Sequence, residues 1–204
     1  MPGPEVSTVR LEAFSDGVIA VIITIMVLEL HVPQTHGLPG LVHVLPRLAI
    51  YALSFLMTGV YWVNHHELCR RTESVTYRVL WANLLFLFTL SLVPFFTDYV
   101  AEQGFDSFST ALYDAVLILA GQGFLAFRLS LNAMYRLHGQ SLPKQDRAET
   151  FKHYASIATF LLALPMAYVK PVLSLLMNFA VTLLWVVPEL ATHRPRECDG
   201  SGRA

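Results

Sequence analysis

A few polar and ionisable side chains lie inside or beside the apolar stretches of this sequence. Ser15 and Asp16 open a run that is otherwise almost entirely apolar. Other polar side chains end the second apolar run or lie near the start of the third, namely Asn64, His65, His66 and Asn83. A carboxylate inside an apolar span is costly, so it indicates a functional site when a partner lies within reach. Carboxylate, imidazole and amide groups together predict proton exchange or a hydrogen-bonded network.

We expect these six residues to form one polar layer near one end of three helices. The second run ends at the level from which the third begins, so its last residues reach the depth of Asp16. Two roles remain open, since the layer either only fixes helix packing or takes a direct part in function. A fixed metal site is not expected, because adjacent histidines on a helix diverge by about 100°. No cofactor is expected, and no Gly-x-Ser-x-Gly sequence that would indicate an enzyme occurs.

The composition is that of a membrane protein. Of 204 residues, 54% are hydrophobic and 14% are charged, with a mean hydropathy of +0.51. Soluble domains carry roughly a quarter charged residues. A net charge of -1 leaves no basic patch for a phosphate backbone, so a nucleic-acid partner is not expected. The lipid bilayer is therefore the expected surrounding of most of the chain.

Six apolar segments are long enough to cross that bilayer as helices. A spanning helix needs about 20 largely apolar residues, and a β-barrel strand would alternate in polarity. The predicted spans are 14–30, 45–63, 79–96, 111–131, 154–169 and 172–190. The fold class is therefore an all-α membrane protein, with one six-helix domain over residues 1–192. Residues 193–204 are expected to form a disordered cytoplasmic tail.

The distribution of basic residues predicts the orientation. Of the 14 Lys and Arg residues, twelve fall on the side that carries both termini, and only Arg47 and Lys170 fall on the other. Basic residues are enriched in cytoplasmic loops. Both termini are therefore expected to be cytoplasmic in a multi-pass protein of the cell membrane.

The first helix has two distinct faces. At about 100° per residue, Glu12, Asp16, Ile19 and Ile23 fall on one side. The opposite side carries a mostly apolar stripe, formed by Phe14, Val21, Thr24, Ile25 and Leu28. We expect Asp16 to point towards neighbouring helices and the stripe to point away from them. Spacing alone favours lipid or core contact for such a stripe, since nearly every spanning helix has one.

The motif at the start of the first helix resembles a known signature. Its pattern, Arg10-x-x-x-Phe14-Ser15-Asp16, resembles the arginine and Phe-Ser-Asp signature of the transmembrane protein 175 family of potassium channels. The apolar residues that follow are similar to that family's first helix. The end of the second run is similar to its second helix, through Trp62 followed by His65 and His66. The six-span layout resembles the prokaryotic, single-repeat form.

This resemblance implies a potassium-selective channel that is a homotetramer, with the first helix of each subunit lining a central pore. The family's apolar constriction rings map to Val21, Ile25 and Leu28, and Thr24 would supply a hydroxyl layer. Potassium ions would bind only transiently in that pore. Val21 departs from the larger Ile or Leu that is usual at the narrowest ring, so we expect weaker discrimination between potassium and sodium.

A second function stays open from the residues themselves. In a proton- or cation-coupled transporter, Asp16 with His65 and His66 would titrate as a relay. Two outer carboxylates, Glu29 and Asp114, either attract cations to an entrance or are solvated helix ends. The Gly121-Gln122-Gly123 segment is expected to permit close helix packing.

Overall fold

The computed structural model describes residues 6–137 and 147–192, and the predicted tail at 193–204 lies outside them. The regular secondary structure of the described part is helical apart from two short strands, β1 (Val6–Ser7) and β2 (Ser74–Val75). Its helices are α1 (Thr8–Leu28), α2 (Leu38–Arg70), α3 (Tyr77–Ser91), α4 (Val93–Glu102), α5 (Ser107–Leu137), α6 (Arg147–Val169) and α7 (Pro171–Thr192). The all-α prediction is confirmed at this level.

Four helical segments in the described residues are long and apolar enough to cross a membrane. They are Thr8–Leu28, Leu38–Arg70, Tyr77–Glu102 and Ser107–Leu137. A shorter apolar helix covers Pro171–Val186, at the place of the sixth predicted span. The first four predicted spans therefore correspond to helices of sufficient length. Lys170 alone separates α6 from α7, as expected for the tightest connection.

The helix at the third predicted span is interrupted once. Helical structure continues beyond residue 96, in α4, to Glu102. The interruption falls at Leu92, whose φ of -80° and ψ of -20° remain in the right-handed helical region. Pro94 follows in the first turn of α4. Proline has no N–H group, so it cannot donate to the carbonyl of residue 90 and the regular hydrogen-bond pattern breaks there.

An antiparallel strand pair ties the start of α1 to the loop between α2 and α3. Val6 pairs with Val75 and Ser7 pairs with Ser74. The Thr8 N–H donates to the Glu73 carbonyl oxygen at 3.3 Å, which extends the attachment into α1. This pair could not be predicted from the sequence, because two residues are too few for a recognisable strand pattern.

The core lies mainly between α3 and α5, which pack closely. A Cβ atom added to Gly123 would lie 2.6 Å from the Thr89 Oγ1 and 2.9 Å from the Phe86 Cα. Only glycine permits that approach, so the predicted close-packing role is confirmed for Gly123. Aromatic rings fill the space beside it, with the Phe86 and Phe124 centroids 5.3 Å apart.

Candidate functional site

The inner face of α1 is the face that packs against the rest of the subunit. Its buried residues recur every three or four positions, as expected for one side of a helix: Thr8, Leu11, Ser15, Ile19, Ile22 and Met26. Contacts with α2, α3 and α4 cover this side. Ser15 is therefore a polar group within an apolar interface and needs a hydrogen-bond partner.

Ser15 obtains that partner from a buried polar chain across three helices. The His65 Nε2 lies 2.9 Å from the Asn83 Oδ1, and the Asn83 Nδ2 donates to the Ser15 Oγ at 2.9 Å. The Ser15 hydroxyl donates onward to the Leu11 carbonyl at 2.8 Å. The Asn83 Oδ1 only accepts, so the His65 Nε2 carries the proton. The chain is satisfied by neutral groups, which suits its complete burial.

Aromatic packing holds the His65 ring in place. The ring stacks on Phe127 with centroids 4.9 Å apart and on Phe86 with centroids 6.0 Å apart. The Cys69 Sγ lies 3.7 Å from the other ring nitrogen, Nδ1. Both the orientation and the tautomer of His65 are therefore determined by its surroundings.

A second set of polar contacts joins α1 to α2 at the edge of the interface. The Trp62 Nε1 donates to the Asp16 Oδ1 at 2.9 Å. The His66 Nδ1 lies 2.7 Å from the Glu12 Oε1. The Trp62 and His66 rings stack with centroids 6.0 Å apart. We call these two contacts, Asp16–Trp62 and Glu12–His66, the edge pairs.

The predicted polar layer is thus divided into two separate groups. Ser15, His65 and Asn83 form the buried chain, whereas Asp16 and His66 belong to the edge pairs. The Asn64 side chain donates to the Val60 carbonyl of its own helix at 2.7 Å, which is not the predicted interhelical bond.

Glu12 is a site residue whose helix face was predicted correctly from the sequence, but whose partner was not predicted. The spacing of polar residues on α1 and α2 could have indicated its partner. Glu12 and Asp16 are four residues apart on α1, and Trp62 and His66 are four apart on α2. Residues four apart lie on one helix face, so two such pairs on adjacent antiparallel helices meet one turn apart.

The outer face of α1 carries the apolar stripe, which the subunit's other helices leave uncovered. Exposed fractions are 54% for Phe14, 54% for Val21, 40% for Ile25 and 78% for Leu28. Thr24 is also exposed, and its hydroxyl donates to the Val21 carbonyl at 2.9 Å. Arg10 is exposed near the foot of the same helix. The edge pairs and the buried chain therefore hold α1 from sides other than the stripe.

An open groove of about 980 Å³ lies beside the stripe. One wall comes from α1 and includes Phe14, Val21 and Ile25. The other wall comes from the break between α3 and α4 and includes Pro94 and Phe95. Phe95 is 65% exposed, so both walls present apolar surface that nothing within the subunit covers.

One cluster among the described residues has ligand types suitable for a metal. The ligand atoms of His31, Asp98 and Glu102 lie within 4.8 Å of one another. However, Glu102 already pairs with the Arg47 Nη1 at 2.5 Å. His31 also uses its Nδ1 on the Glu29 carbonyl at 2.8 Å. This group is an ion-paired cluster near the surface with Asp98 half-buried, and we assign it no metal.

Comparison with known families finds a match over the part of the chain just described. The family described as endosomal/lysosomal potassium channel TMEM175 matches residues 10–94. That range includes the motif, the buried chain and the edge pairs.

Individual proteins resemble the chain over a larger part of its length. A protein named as a potassium channel from Chryseobacterium sp. (strain P1-3) is 38% identical over 181 residues, which cover 88% of this chain and 93% of that protein. A protein named as a potassium channel from Streptomyces collinus is 37% identical over 125 residues, covering 57% of this chain and 61% of that protein.

A solved structure is similar in three dimensions. It is the crystal structure of a lysosomal potassium-selective channel TMEM175 homolog from Chamaesiphon minutus. The TM-score is 0.74 at 26% sequence identity, and the match covers 89% of this chain and 97% of that chain.

Proposed function

Because the chain belongs to the TMEM175 family of potassium channels, we propose that it conducts potassium ions passively and selectively through a central pore. The chain is accordingly a transmembrane protein of ion transport and not an enzyme. The observation that carries the proposed pore is the uncovered stripe on α1. A helix that is anchored by polar contacts and leaves an apolar face free is suited to line a path.

The proposed channel domain comprises residues 1–192 and six spans. The segment from α3 to α4 counts as one span, and α6 and α7 supply the fifth and sixth. Twelve of the 14 basic residues then fall on the side of both termini. The positive-inside rule places that side in the cytoplasm of a cell-membrane protein.

Four copies of the chain are proposed to surround the pore. A single subunit has the stripe on its outside, so it cannot enclose a path by itself. Cyclic symmetry brings the same face of every subunit to one axis. The wall of the groove opposite the stripe, at Pro94 and Phe95, offers apolar surface on which a neighbouring subunit packs.

The constriction is proposed to consist of apolar rings from Val21, Ile25 and Leu28. Apolar rings gate by dewetting, because a narrow apolar passage excludes water and hydrated ions without a charged plug. The Thr24 hydroxyl oxygen keeps lone pairs after donating to the Val21 carbonyl, so it can face an ion between the rings. Potassium is then a transient occupant, and no fixed cofactor is required.

The coupled-transporter alternative is not favoured. Its relay required Asp16 to act together with His65 and His66. Asp16 instead accepts from Trp62, whereas His65 donates into the chain through Asn83. These contacts do not form one continuous relay, and the named relatives are potassium channels.

Flux through reconstituted protein tests the proposal. Liposomes that contain the full chain should show a potassium current whose reversal potential follows the potassium gradient and does not change with pH. Ile25→Trp should reduce this flux at least tenfold by filling the ring. Leu161→Trp, on an exposed apolar face of α6, is the matched control and should leave the flux unchanged. Equal flux through both variants would show that α1 does not line the pore.

A further inference from the structure

Asp114 is a carboxylate buried inside the subunit, in the first part of α5. Its side chain is enclosed, with 0% of the residue exposed. A solvated helix end was one reading of the sequence, and the structure shows that reading to be wrong. A carboxylate enclosed within a membrane span marks a functional site by default when its partners are identified.

The partners of Asp114 are two neutral side chains of α7. The Ser174 hydroxyl donates to the Asp114 Oδ2 at 2.6 Å, and the Asn178 Nδ2 donates to the Oδ1 at 2.7 Å. Both partners are themselves fully buried. None of the ion pairs found among the described residues includes Asp114.

The same cluster contains an oxygen atom without a partner. The Asn178 Oδ1 is buried and forms no hydrogen bond. The amide must turn its NH₂ group towards the carboxylate, because two acceptor oxygens would repel one another. The unpartnered oxygen nevertheless belongs to the group bonded to Asp114, so it lies close to the carboxylate. Such an orphaned polar atom requires an explanation, for instance an ion or a water molecule.

The charge balance favours an ion over water. An ionised carboxylate that has only neutral donors in an apolar interior costs several kcal/mol. Ser174 lies in the first turn of α7, where the helix dipole favours negative charge and so favours the ionised carboxylate. A water molecule would satisfy the amide oxygen and leave the charge uncompensated. A cation between the Asp114 carboxylate and the Asn178 Oδ1 would compensate the charge and give the orphaned oxygen a partner.

We propose that Asp114, Ser174 and Asn178 form a buried binding site for a monovalent cation, Na⁺ or K⁺, between α5 and α7. A single carboxylate with neutral oxygens supplies one negative charge, whereas calcium sites usually combine several carboxylates. The site is not on α1, so it is separate from the proposed pore, and it does not rest on the proposed function. Its expected effect is to hold α7 against α5.

Thermal unfolding of the full chain in detergent tests the site. The reference is choline chloride, which is replaced by NaCl or KCl at constant ionic strength and at pH 7.5. Wild-type protein should show a saturable rise in Tm on the order of 5 °C with at least one of the two ions. Equal Tm values in all three salts would overturn the proposal. A Tm that depends on pH through Asp114 but not on either ion would do the same, since the ligand would then be a proton.

Two variants assign the effect to this cluster. Asp114→Asn removes the charge and keeps a similar shape, so the ion-specific rise should disappear. Asp106→Asn, which changes an exposed carboxylate nearby, should keep the rise. If Asp114→Asn does not fold, Asn178→Ser carries the test, and its half-maximal ion concentration should increase at least tenfold. A rise that persists in Asp114→Asn, or an unchanged midpoint in Asn178→Ser, would contradict the assignment.

Potassium flux without ion-dependent stability would contradict the buried site alone. Asp114-dependent stabilisation in a protein that carries no potassium flux would contradict the channel proposal alone.

Discussion

The Nδ2 group of Asn83 donates to the Oγ of Ser15 at 2.9 Å, which connects the third span to the first across 68 positions in the sequence. His65 adds the second span to the same chain. Three helices are therefore held in register by neutral hydrogen bonds within an apolar interior. The stripe on α1 lies outside this chain, so anchoring and the proposed lining belong to different faces of one helix.

Replacing Leu28 or Val21 with serine is expected to change conduction. A hydroxyl helps water to enter the ring and so lowers the barrier that dewetting presents to ions, and potassium flux or sodium leak should rise severalfold. Flux into liposomes under separate potassium and sodium gradients measures both effects. Leu161→Ser is the control, because it makes the same kind of substitution on another exposed apolar face. Unchanged flux after both stripe substitutions would show that these positions do not line the path.

Removing two members of the buried chain together should destabilise the fold by less than the sum of the two single removals. Asn83→Leu leaves the His65 N–H without its acceptor, at a cost of about 1–3 kcal/mol. It also removes the donor to the Ser15 Oγ, which keeps its own bond to the Leu11 carbonyl. His65→Phe keeps an aromatic ring on Phe127 and likewise leaves one acceptor unpaired. A double-mutant cycle of the two, measured by unfolding in detergent, should give a double variant less destabilised than the sum.

Strict additivity in that cycle would contradict the hydrogen-bonded chain. The double-mutant cycle reports on the hydrogen bond and not on ring packing, because the phenylalanine at position 65 still packs against Phe127 and Phe86.

Asp16→Ala is expected to impair assembly or opening. The substitution leaves the Trp62 N–H without its acceptor, so one of the two edge pairs that orient α1 is lost. Hydrogen bonds between membrane helices average about 0.6 kcal/mol, so the loss in stability should be small and the functional loss larger. Size-exclusion chromatography and potassium flux measure the two effects. Trp62→Phe removes the same bond from the other side and should reproduce the result, whereas normal assembly with normal currents in both would leave the pair without a role.

Gly123→Ala should destabilise the packing of α3 against α5. The new methyl group would lie 2.9 Å from the Phe86 Cα, which is backbone and cannot rotate away. Overpacking of this kind typically costs about 1–3 kcal/mol, and it should appear as a lower Tm. Gly59→Ala is the matched control, because nothing lies within 4 Å of its added Cβ. If Gly59→Ala lowers the Tm as much as Gly123→Ala does, the loss of stability would be attributed to helix packing between subunits and not to the contact of α3 with α5.

Asp106 should make the start of α5 sensitive to acid. Hydrogen bonds from the Ser109 side chain and from the Ser109 backbone N–H hold the pKa of the Asp106 carboxyl below its ordinary value. A group with a lowered pKa contributes stability that is fully present above its unfolded pKa and is lost as the pH falls through the folded value. Wild-type Tm should therefore decrease below about pH 4.

Asp106→Asn isolates that contribution. Asparagine also accepts from a helix N-terminus but does not titrate, so the variant should lose less Tm than wild type between pH 6 and pH 3.5. Parallel curves of Tm against pH for wild type and Asp106→Asn would exclude Asp106 as the source of the acid sensitivity.

Local composition and periodicity determine much of this protein. Apolar length places the first four spans, because crossing a bilayer demands about 20 apolar residues whatever the neighbours are. Angular spacing on α1 separates Asp16 and Glu12 from Val21 and Leu28, since residues of one helix share a face at fixed intervals. The matching four-residue spacing on α1 and α2 also indicates the edge pairs. The break at Pro94 likewise follows from local backbone chemistry.

Tertiary structure decides which neighbour covers each face. Ser15 and Asp16 are adjacent in sequence, yet one enters a buried chain and the other an edge pair, because successive helical residues point about 100° apart towards different helices. Asp114 looked like a solvated helix end, and only the packing of α7 encloses it. Periodicity describes a single helix, whereas burial depends on contacts between segments far apart in sequence. That long-range information is what the sequence pattern of one chain lacks.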